Sequence, residues 1–348
     1  MKFAAFKLKS DVGRTRIGLV DLQNQKIHEY AGNHNTSEKG VLQILESQLR
    51  GESLPEVIAI HALSNIQILA PIPRPQRNIF CVGKNYFEHA KEFGTSGYDS
   101  STSKPGDEIP KHPIIFTKPP ESVIGTGENI VIPQKISKDI DYEVELTVII
   151  GKGGKGITKQ NAFSHVWGYT IINDVTARDW QQRHKQWFLG KSFDTFCPMG
   201  PWVVTRDELK DDDISVQCWV NGELRQSANS KDLIFDVPTL IETISAGITL
   251  YPGDIIATGT PAGVGLGFKP PKYLVAGDVV RLEVGGVGVL ENKLINDYVN
   301  EKSDVYKRDQ TIKEKFDSDK KIESWANEND IKLINNIPIS FYNKTLND

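Results

Sequence analysis

The clearest alternation of apolar and polar positions in this chain runs through residues 141–150. Two carboxylates, Glu143 and Glu145, interleave there with apolar residues, namely Val144, Leu146, Val148 and Ile150. Because successive side chains of a strand point to opposite faces, this spacing predicts a strand with one apolar face. Both acids are then expected on the other face.

The rest of the pattern divides the chain into three parts. Residues 1–70 alternate short strand-like runs with one helix candidate, at 3–8, 15–20, 57–60 and 40–49, and predict a small α/β cap. Residues 71–297 contain many short β runs separated by Gly and Pro, and residues 298–348 are dense in charge. We therefore expect an α+β, mostly β fold with boundaries near 70 and 297.

Composition narrows the function classes. With 41 basic and 45 acidic residues the net charge is −4, so nothing favours nucleic acid or an anionic membrane as a partner. The three cysteines form no CxxC pair, which is typical of a reducing compartment. No signal-like or membrane-spanning apolar run is present. We expect a soluble cytoplasmic protein, with a mitochondrial location as the alternative.

Three carboxylates are candidates for a metal site. The apolar run 169–172 leads into Asp174, which could join Glu143 and Glu145 from the end of a second strand. Carboxylates without histidine or cysteine suit a hard divalent cation, Mg2+ first and Mn2+ or Ca2+ next. The alternative is a solvated strand face on which the two glutamates pair with lysines.

Two further groups could act on a substrate. His89 and Glu92 are three residues apart in a helix-like segment, so they can share a face and form a general base. The alternative is a surface pair. The sequence Gly190-Lys191-Ser192 resembles the end of a phosphate loop, but Lys185 stands where that loop needs glycine. Lys191 therefore stays as a candidate active-site cation, or else a surface lysine.

A glycine-rich loop follows the short apolar run 255–257. In residues 258–265 the backbone N–H groups and the hydroxyls of Thr258 and Thr260 could face an anionic ligand. A structural turn is the alternative. The match of residues 151–156 to GxGxxG is interpreted as a turn, because the preceding strand carries paired acids instead of the continuous apolar run of a dinucleotide-binding fold.

Six ordered motifs resemble one known family. They are Cys-Val-Gly-Lys-Asn-Tyr-Phe-Glu-His-Ala-Lys-Glu (81–92), Pro-Ile-Ile-Phe-Thr-Lys-Pro (113–119), Asp-Tyr-Glu-Val-Glu-Leu (141–146), Asn-Asp-Val-Thr-Ala-Arg-Asp (173–179), Gly-Lys-Ser-Phe-Asp (190–194) and Thr-Gly-Thr-Pro-Ala-Gly-Val-Gly (258–265). Together they resemble the fumarylacetoacetate hydrolase (FAH) family, specifically its FAH domain-containing protein 2 members and their bacterial relatives. The resemblance covers about residues 71–297 and implies a mixed β-sandwich roll, usually a homodimer.

The resemblance also implies roles for individual residues. Mg2+ would be held by Glu143, Glu145 and Asp174. His89 and Glu92 would form the catalytic dyad, and Lys191 would face the developing oxyanion. Gln181 and Thr260 would hold the substrate's carboxylate and carbonyl oxygens, and Arg178 would serve in structural ion pairing.

The expected function is enolate chemistry on small oxo-acids. A Mg2+-dependent enzyme would act through a metal-bound enolate, as an oxaloacetate keto-enol tautomerase. The alternative is an acylpyruvase or fumarylacetoacetate type of hydrolase, which cleaves a carbon-carbon bond of 2,4-dioxo acids. A weakly catalytic protein that binds a metal and an oxo-acid is the third reading. One fold supports all of these activities, so the fold does not choose among them.

The segment between the dyad and the next strand generates a first prediction. Residues 94–107 are polar and rich in turn formers, so we expect residues 93–112 to exchange hydrogen rapidly without ligand. Binding of oxalate, an enolate mimic, together with Mg2+ should slow that exchange. Equal exchange in both states, measured by mass spectrometry, would contradict a ligand-gated lid.

Overall fold

The computed structural model describes residues 1–32, 38–94, 96–97, 108–209 and 213–297, and the backbone of residues 333–334 and 337–338. Residues Met1–Asn296 form one compact unit and Asp297–Asp348 a second. The predicted boundaries near 70 and 297 stay predictions about domain organisation. The segment predicted as a lid lies largely outside the described residues, as does most of the charged extension.

Strands dominate the described residues. In chain order they are β1 (Lys2–Leu8), β2 (Asp11–Asp21), β3 (Lys26–Tyr30), β4 (Val57–Ala62), β5 (Ile66–Ile68), β6 (Ile79–Gly83), β7 (Ile114–Lys118), β8 (Val123–Ile124), β9 (Ile130–Ile132), β10 (Ile140–Asp141), β11 (Val144–Ile150), β12 (Val166–Asn173), β13 (Thr176–Ala177), β14 (Cys197–Thr205), β15 (Ser215–Val220), β16 (Glu223–Asn229), β17 (Ile255–Ala257), β18 (Val279–Val284), β19 (Gly288–Asn296), β20 (Leu333–Ile334) and β21 (Ile337–Pro338). The helices are α1 (Leu42–Leu49), α2 (Phe87–Gly94), α3 (Arg178–Arg183), α4 (Phe188–Lys191) and α5 (Val237–Gly247). The prediction of a mostly β fold is confirmed.

Two sheets organise the larger unit. The 12-stranded sheet has the order β4-β3-β2-β1-β14-β12-β11-β17-β6-β7, with β5 beside β1 and β8 beside β14. The 5-stranded sheet has the order β16-β15-β18-β19-β9. In the second unit, β20 and β21 pair with each other in antiparallel fashion.

The N-terminal strands belong to the large sheet. β1 pairs with β14 in antiparallel register, so that Phe3 lies opposite Val203. Helix α1 buries Leu42, Ile44 and Leu45 in the same apolar cluster as Phe3. The segment predicted as a cap therefore shares its sheet and its core with the segment that follows.

Apolar side chains cover both faces of β11. Val144, Leu146, Val148 and Ile150 lie in the main core, together with residues of the small sheet and of α5. Ile149, from the alternate set, lies in the second cluster with residues of β1 and α1. The predicted alternation is present, but the face that carries Glu145 is buried instead of solvated.

A pair of leucines tests where the stability resides. Leu290 of β19 is fully buried in the main core, whereas Leu224 of β16 is 50 % exposed. Leu290→Ala should lower the free energy of unfolding by about 2–5 kcal/mol, because the lost contacts leave a cavity. Leu224→Ala, the matched control, should change it by no more than about 0.5 kcal/mol. Urea denaturation measures the free energy of unfolding of both variants. A loss in Leu290→Ala as small as that in Leu224→Ala would show that β19 does not belong to the core.

Candidate active site

Strand pairing brings the three candidate metal ligands together. β11 and β12 are antiparallel, and Val144 lies opposite Asn173. The residue before Val144 therefore meets the residue after Asn173, and the N–H of Asp174 donates to the carbonyl of Glu143 at 2.9 Å. One ligand atom from each of Glu143, Glu145 and Asp174 lies within 4.8 Å of the others. The predicted convergence of these residues is present.

The acidic cluster is buried. The exposed fractions of Glu143, Glu145 and Asp174 are 4%, 1% and 0%. The predicted alternative of a solvated pair of glutamates therefore does not describe this structure. Lys191 is buried as well, so it is not a surface lysine. Carboxylates removed from water need compensating positive charge.

Lysines and an arginine supply part of that charge. Lys191 Nζ lies 2.8 Å from Glu143 Oε2 and 2.7 Å from Asp174 Oδ2. Lys118 Nζ lies 2.7 Å from Asp174 Oδ1 and also contacts the carbonyl of Lys191. Arg178 Nη2 lies 2.7 Å from Glu143 Oε1, which agrees with the ion-pairing role expected for it.

The electrostatics of the two glutamates differ. Burial alone would raise the pKa of Glu143, but the charges of Lys191 and Arg178 outweigh it and hold that pKa below its ordinary value. Burial, followed by the negative charges of Asp174 and Glu143, raises the pKa of Glu145 well above its ordinary value. Burial also opposes the charge of Lys191, yet Asp174 and Glu143 raise its pKa. Within the part of the chain that the structure describes, no cation approaches Glu145 as closely as Lys191 and Arg178 approach Glu143.

This donor set fits a hard divalent cation. All three ligands are carboxylates, and the raised pKa of Glu145 marks negative charge that the nearby lysines and arginine do not balance. A cation between the three side chains would supply the missing charge. Glu143, Glu145 and Asp174 are the residues that would hold it.

The His89–Glu92 pair lies at the same pocket. Helix α2 begins four residues after the end of β6, and His89 Nδ1 lies 3.2 Å from Glu92 Oε2. His89 is 4% exposed and lines the pocket together with Glu143 and Lys191. The alternative of a surface pair therefore does not hold.

The glycine-rich loop binds carboxylates of the protein itself. Gly259 and Gly263 have φ values of +101° and +98°, a region that favours glycine. The N–H of Gly259 donates to Glu145 Oε2 at 2.8 Å, and the N–H of Gly263 donates to Glu92 Oε1 at 3.1 Å. The N–H groups of Gly265 and Leu266 donate to the two carboxylate oxygens of Asp141, at 2.6 and 3.0 Å. The sequence left an anionic ligand and a structural turn open for this loop, and in the structure these N–H groups bind carboxylates of Glu145, Glu92 and Asp141.

The two predicted substrate-binding residues also line the pocket. Gln181 on α3 is 2% exposed and its Oε1 accepts from Arg178 Nη1 at 3.1 Å. Thr260 is 2% exposed and its hydroxyl accepts from Gln226 Nε2 at 2.8 Å. Their roles toward a substrate stay predictions.

Sequence reasoning assigned no role to several residues at or beside the pocket. Lys118 belongs to the motif 113–119, but a lysine at the end of an apolar run also fits a surface strand end. Trp187 packs against Gly83, where a Cβ atom would lie 2.2 Å from the indole ring, and makes edge contacts with Phe93 and Phe116. These aromatic rings form an apolar wall, and the remaining cavity is about 10 Å³, room for about one water molecule.

Comparison with known proteins agrees with this geometry. The profile described as "Fumarylacetoacetate (FAA) hydrolase C-terminal" matches residues 78–295. The chain belongs to the fumarylacetoacetate hydrolase family. The predicted family and its enzyme class, an isomerase or a hydrolase, are therefore confirmed.

Individual relatives are similar over most of their length. The chain is 49% identical over 236 residues to oxaloacetate tautomerase YisK of Bacillus subtilis (strain 168), which covers 68% of this chain and 75% of that protein. It is 45% identical over 235 residues to the mitochondrial oxaloacetate tautomerase FAHD2A of Homo sapiens, covering 67% and 70%.

Solved structures share the fold. The fumarylacetoacetate hydrolase of psychrophilic Exiguobacterium antarcticum superposes with a TM-score of 0.70 at 41% identity, covering 85% of this chain and 99% of that one. A 2-hydroxyhepta-2,4-diene-1,7-dioate isomerase from Mycobacterium marinum gives a TM-score of 0.66 at 30% identity, covering 86% and 99%. Within the described residues, no helix combines the length and apolar character needed to cross a membrane.

The acidic cluster generates a prediction about metal binding. Glu145→Gln should weaken Mg2+ binding at least about 10-fold, because a neutral amide is a poorer ligand for a hard cation. Isothermal titration calorimetry measures the affinity, and circular dichroism checks that the variant is folded. Glu283→Gln, on a half-exposed glutamate of β18, is the matched control. Unchanged affinity in folded Glu145→Gln would remove Glu145 from the site.

Proposed function

We propose that this protein is an oxaloacetate keto-enol tautomerase. The observation that carries the proposal is its similarity, at 49% and 45% identity, to two proteins named oxaloacetate tautomerases. The pocket supports it, since a buried cluster of carboxylates lies beside Lys191 and beside the polar groups of Gln181 and Thr260.

The metal in this proposal is Mg2+, with Mn2+ or Ca2+ as alternatives, held by Glu143, Glu145 and Asp174. When bound, such a cation withdraws electrons from a 2-oxo acid and makes its C3 hydrogens more acidic. The protein's own groups must then orient the oxo-acid, exclude water and move one proton.

Lys191 is the proposed proton carrier and electrostatic partner. Its side chain is 2% exposed and its ammonium group lies between Glu143 and Asp174, so it can place a positive charge where an enolate oxygen develops. In a site without bulk water, such a charge stabilises the transition state more than it would in solution. Gln181 and Thr260 would hold the carboxylate and carbonyl oxygens of the substrate.

Water exclusion favours tautomerisation over side reactions. Phe93, Phe116 and Trp187 line the pocket, whose cavity of about 10 Å³ has room for about one water molecule. A substrate must therefore displace solvent on entry, and the enolate is returned to the keto form by reprotonation within the protein.

One observation favours a second function, the hydrolysis of 2,4-dioxo acids. His89 is hydrogen-bonded to Glu92 and lines the same pocket, which is the arrangement needed to activate a water molecule. Tautomerisation through Lys191 does not need this base.

The homodimer and the cytoplasmic or mitochondrial compartment remain part of the proposal.

Turnover separates the candidate functions. With Mg2+, the purified protein should accelerate the loss of the ultraviolet absorbance of enol-oxaloacetate, and removal of the metal with EDTA should slow this reaction. Cleavage of acetylpyruvate without tautomerisation of oxaloacetate would favour the hydrolase. Binding of both compounds without turnover of either would leave only the binding-protein hypothesis.

The roles of His89 and Lys191 give a sharper prediction. His89→Ala should slow acetylpyruvate cleavage by about 100-fold or more, since it removes the proposed general base. Oxaloacetate tautomerisation should fall less in that variant, whereas Lys191→Ala should impair both reactions. His184→Ala, on an exposed histidine, is the matched control. Equal losses of both activities in His89→Ala would show that His89 serves the shared enolate step.

A further inference from the structure

Lys84 has an unusual backbone conformation at the edge of the pocket. Its φ is +56°, in the left-handed region that a lysine adopts at a cost, and its exposed fraction is 4%. It follows directly after β6 and lines the same pocket as His89 and Lys191. Lys84 is therefore held at the edge of the pocket by a strained and buried turn.

The neighbouring residue fixes this conformation. Asn85 is fully buried, and its Nδ2 donates to the carbonyls of Thr258 and Phe235 at 2.7 and 3.0 Å. The N–H groups of Ile234 and Phe235 donate back to the backbone and side-chain oxygens of Asn85, each at 2.8 Å. Four hydrogen bonds to two other segments prevent the turn from relaxing, which is how strain persists at functional sites.

The cations of the pocket divide between two structural sources. Arg178 and Lys191 come from α3 and α4, and both contact Glu143 of the acidic cluster. Lys84 instead comes from the end of β6, beside the helix that carries His89. The pocket therefore receives a lysine from an element separate from those that supply Arg178 and Lys191.

We propose that Lys84 binds a second carboxylate of the substrate, so that the pocket selects oxo-dicarboxylates over oxo-acids that end in an alkyl group. This inference rests on the proposed function and deepens it, because it names the substrate class. The competing arrangement places an alkyl group against the aromatic wall of Phe93, Phe116 and Trp187. That arrangement would favour acylpyruvates.

Two substrates and two variants test the proposal. Oxaloacetate and 2-oxobutanoate share a carbon skeleton and differ at the terminal carbon, which is a carboxylate in one and a methyl group in the other. Lys84→Asn removes the charge while keeping a residue that tolerates a positive φ, and Lys84→Arg keeps the charge. Enolisation is followed by ultraviolet absorbance for oxaloacetate and by deuterium exchange at C3 for 2-oxobutanoate.

The expected result is selective. Lys84→Asn should lower kcat/KM for oxaloacetate by about 10-fold to 100-fold, mainly through KM, as expected for a lost charge-assisted hydrogen bond. The value for 2-oxobutanoate should change by less than about 3-fold, and Lys84→Arg should retain most of the preference for oxaloacetate. Lys91→Asn, on an exposed lysine of α2 that pairs with Glu88, is the matched control.

Other outcomes overturn the proposal in distinguishable ways. Equal losses for both substrates would make Lys84 a structural residue or part of the shared chemistry, and an unchanged value for oxaloacetate would exclude the contact. If the wild-type protein turns over neither substrate, the proposed function fails. Calorimetric titration of each oxo-acid with Mg2+ then still decides whether Lys84→Asn selectively weakens oxaloacetate binding.

Discussion

The site depends on keeping three carboxylates together away from water. Glu143, Glu145 and Asp174 lie within reach of one cation, and each is nearly or fully buried. Such an arrangement is unfavourable unless positive charge and hydrogen-bond donors surround it. Lys118, Lys191, Arg178 and the N–H of Gly259 provide part of that surrounding in the described structure.

The same requirement explains the architecture around the site. Antiparallel pairing of β11 with β12 places Asp174 beside Glu143, and pairing of β17 with β11 brings the glycine-rich loop to Glu145. Asp141 then joins this loop to Arg178, through 2.6 and 3.0 Å bonds to N–H groups and a 2.9 Å ion pair. The pocket is therefore built from sheet register, and the lysines reach it from elements that flank the sheet.

This construction also explains how one family supports more than one reaction. In the proposed mechanism the carboxylates and Lys191 serve the enolate-forming step, whereas the His89–Glu92 pair and the aromatic wall come from α2, β7 and the segment before α4. Under this proposal, changes in these flanking elements would redirect an enolate toward reprotonation or toward carbon-carbon cleavage without changing the acidic cluster. The fold alone therefore does not specify the reaction.

The sequence by itself determined the strand that carries Glu145 and begins directly after Glu143, the helix carrying His89 and Glu92, and the family. Each of these depends on local periodicity or on an ordered series of short motifs. Only the tertiary structure decided which groups surround these residues. Burial of the acid-bearing face of β11, the contacts of Lys118 with Asp174 and with the Lys191 carbonyl, and the capture of carboxylates by the glycine-rich loop all join residues far apart in the chain. Local periodicity cannot report such contacts, since they depend on which strands pair and in which register.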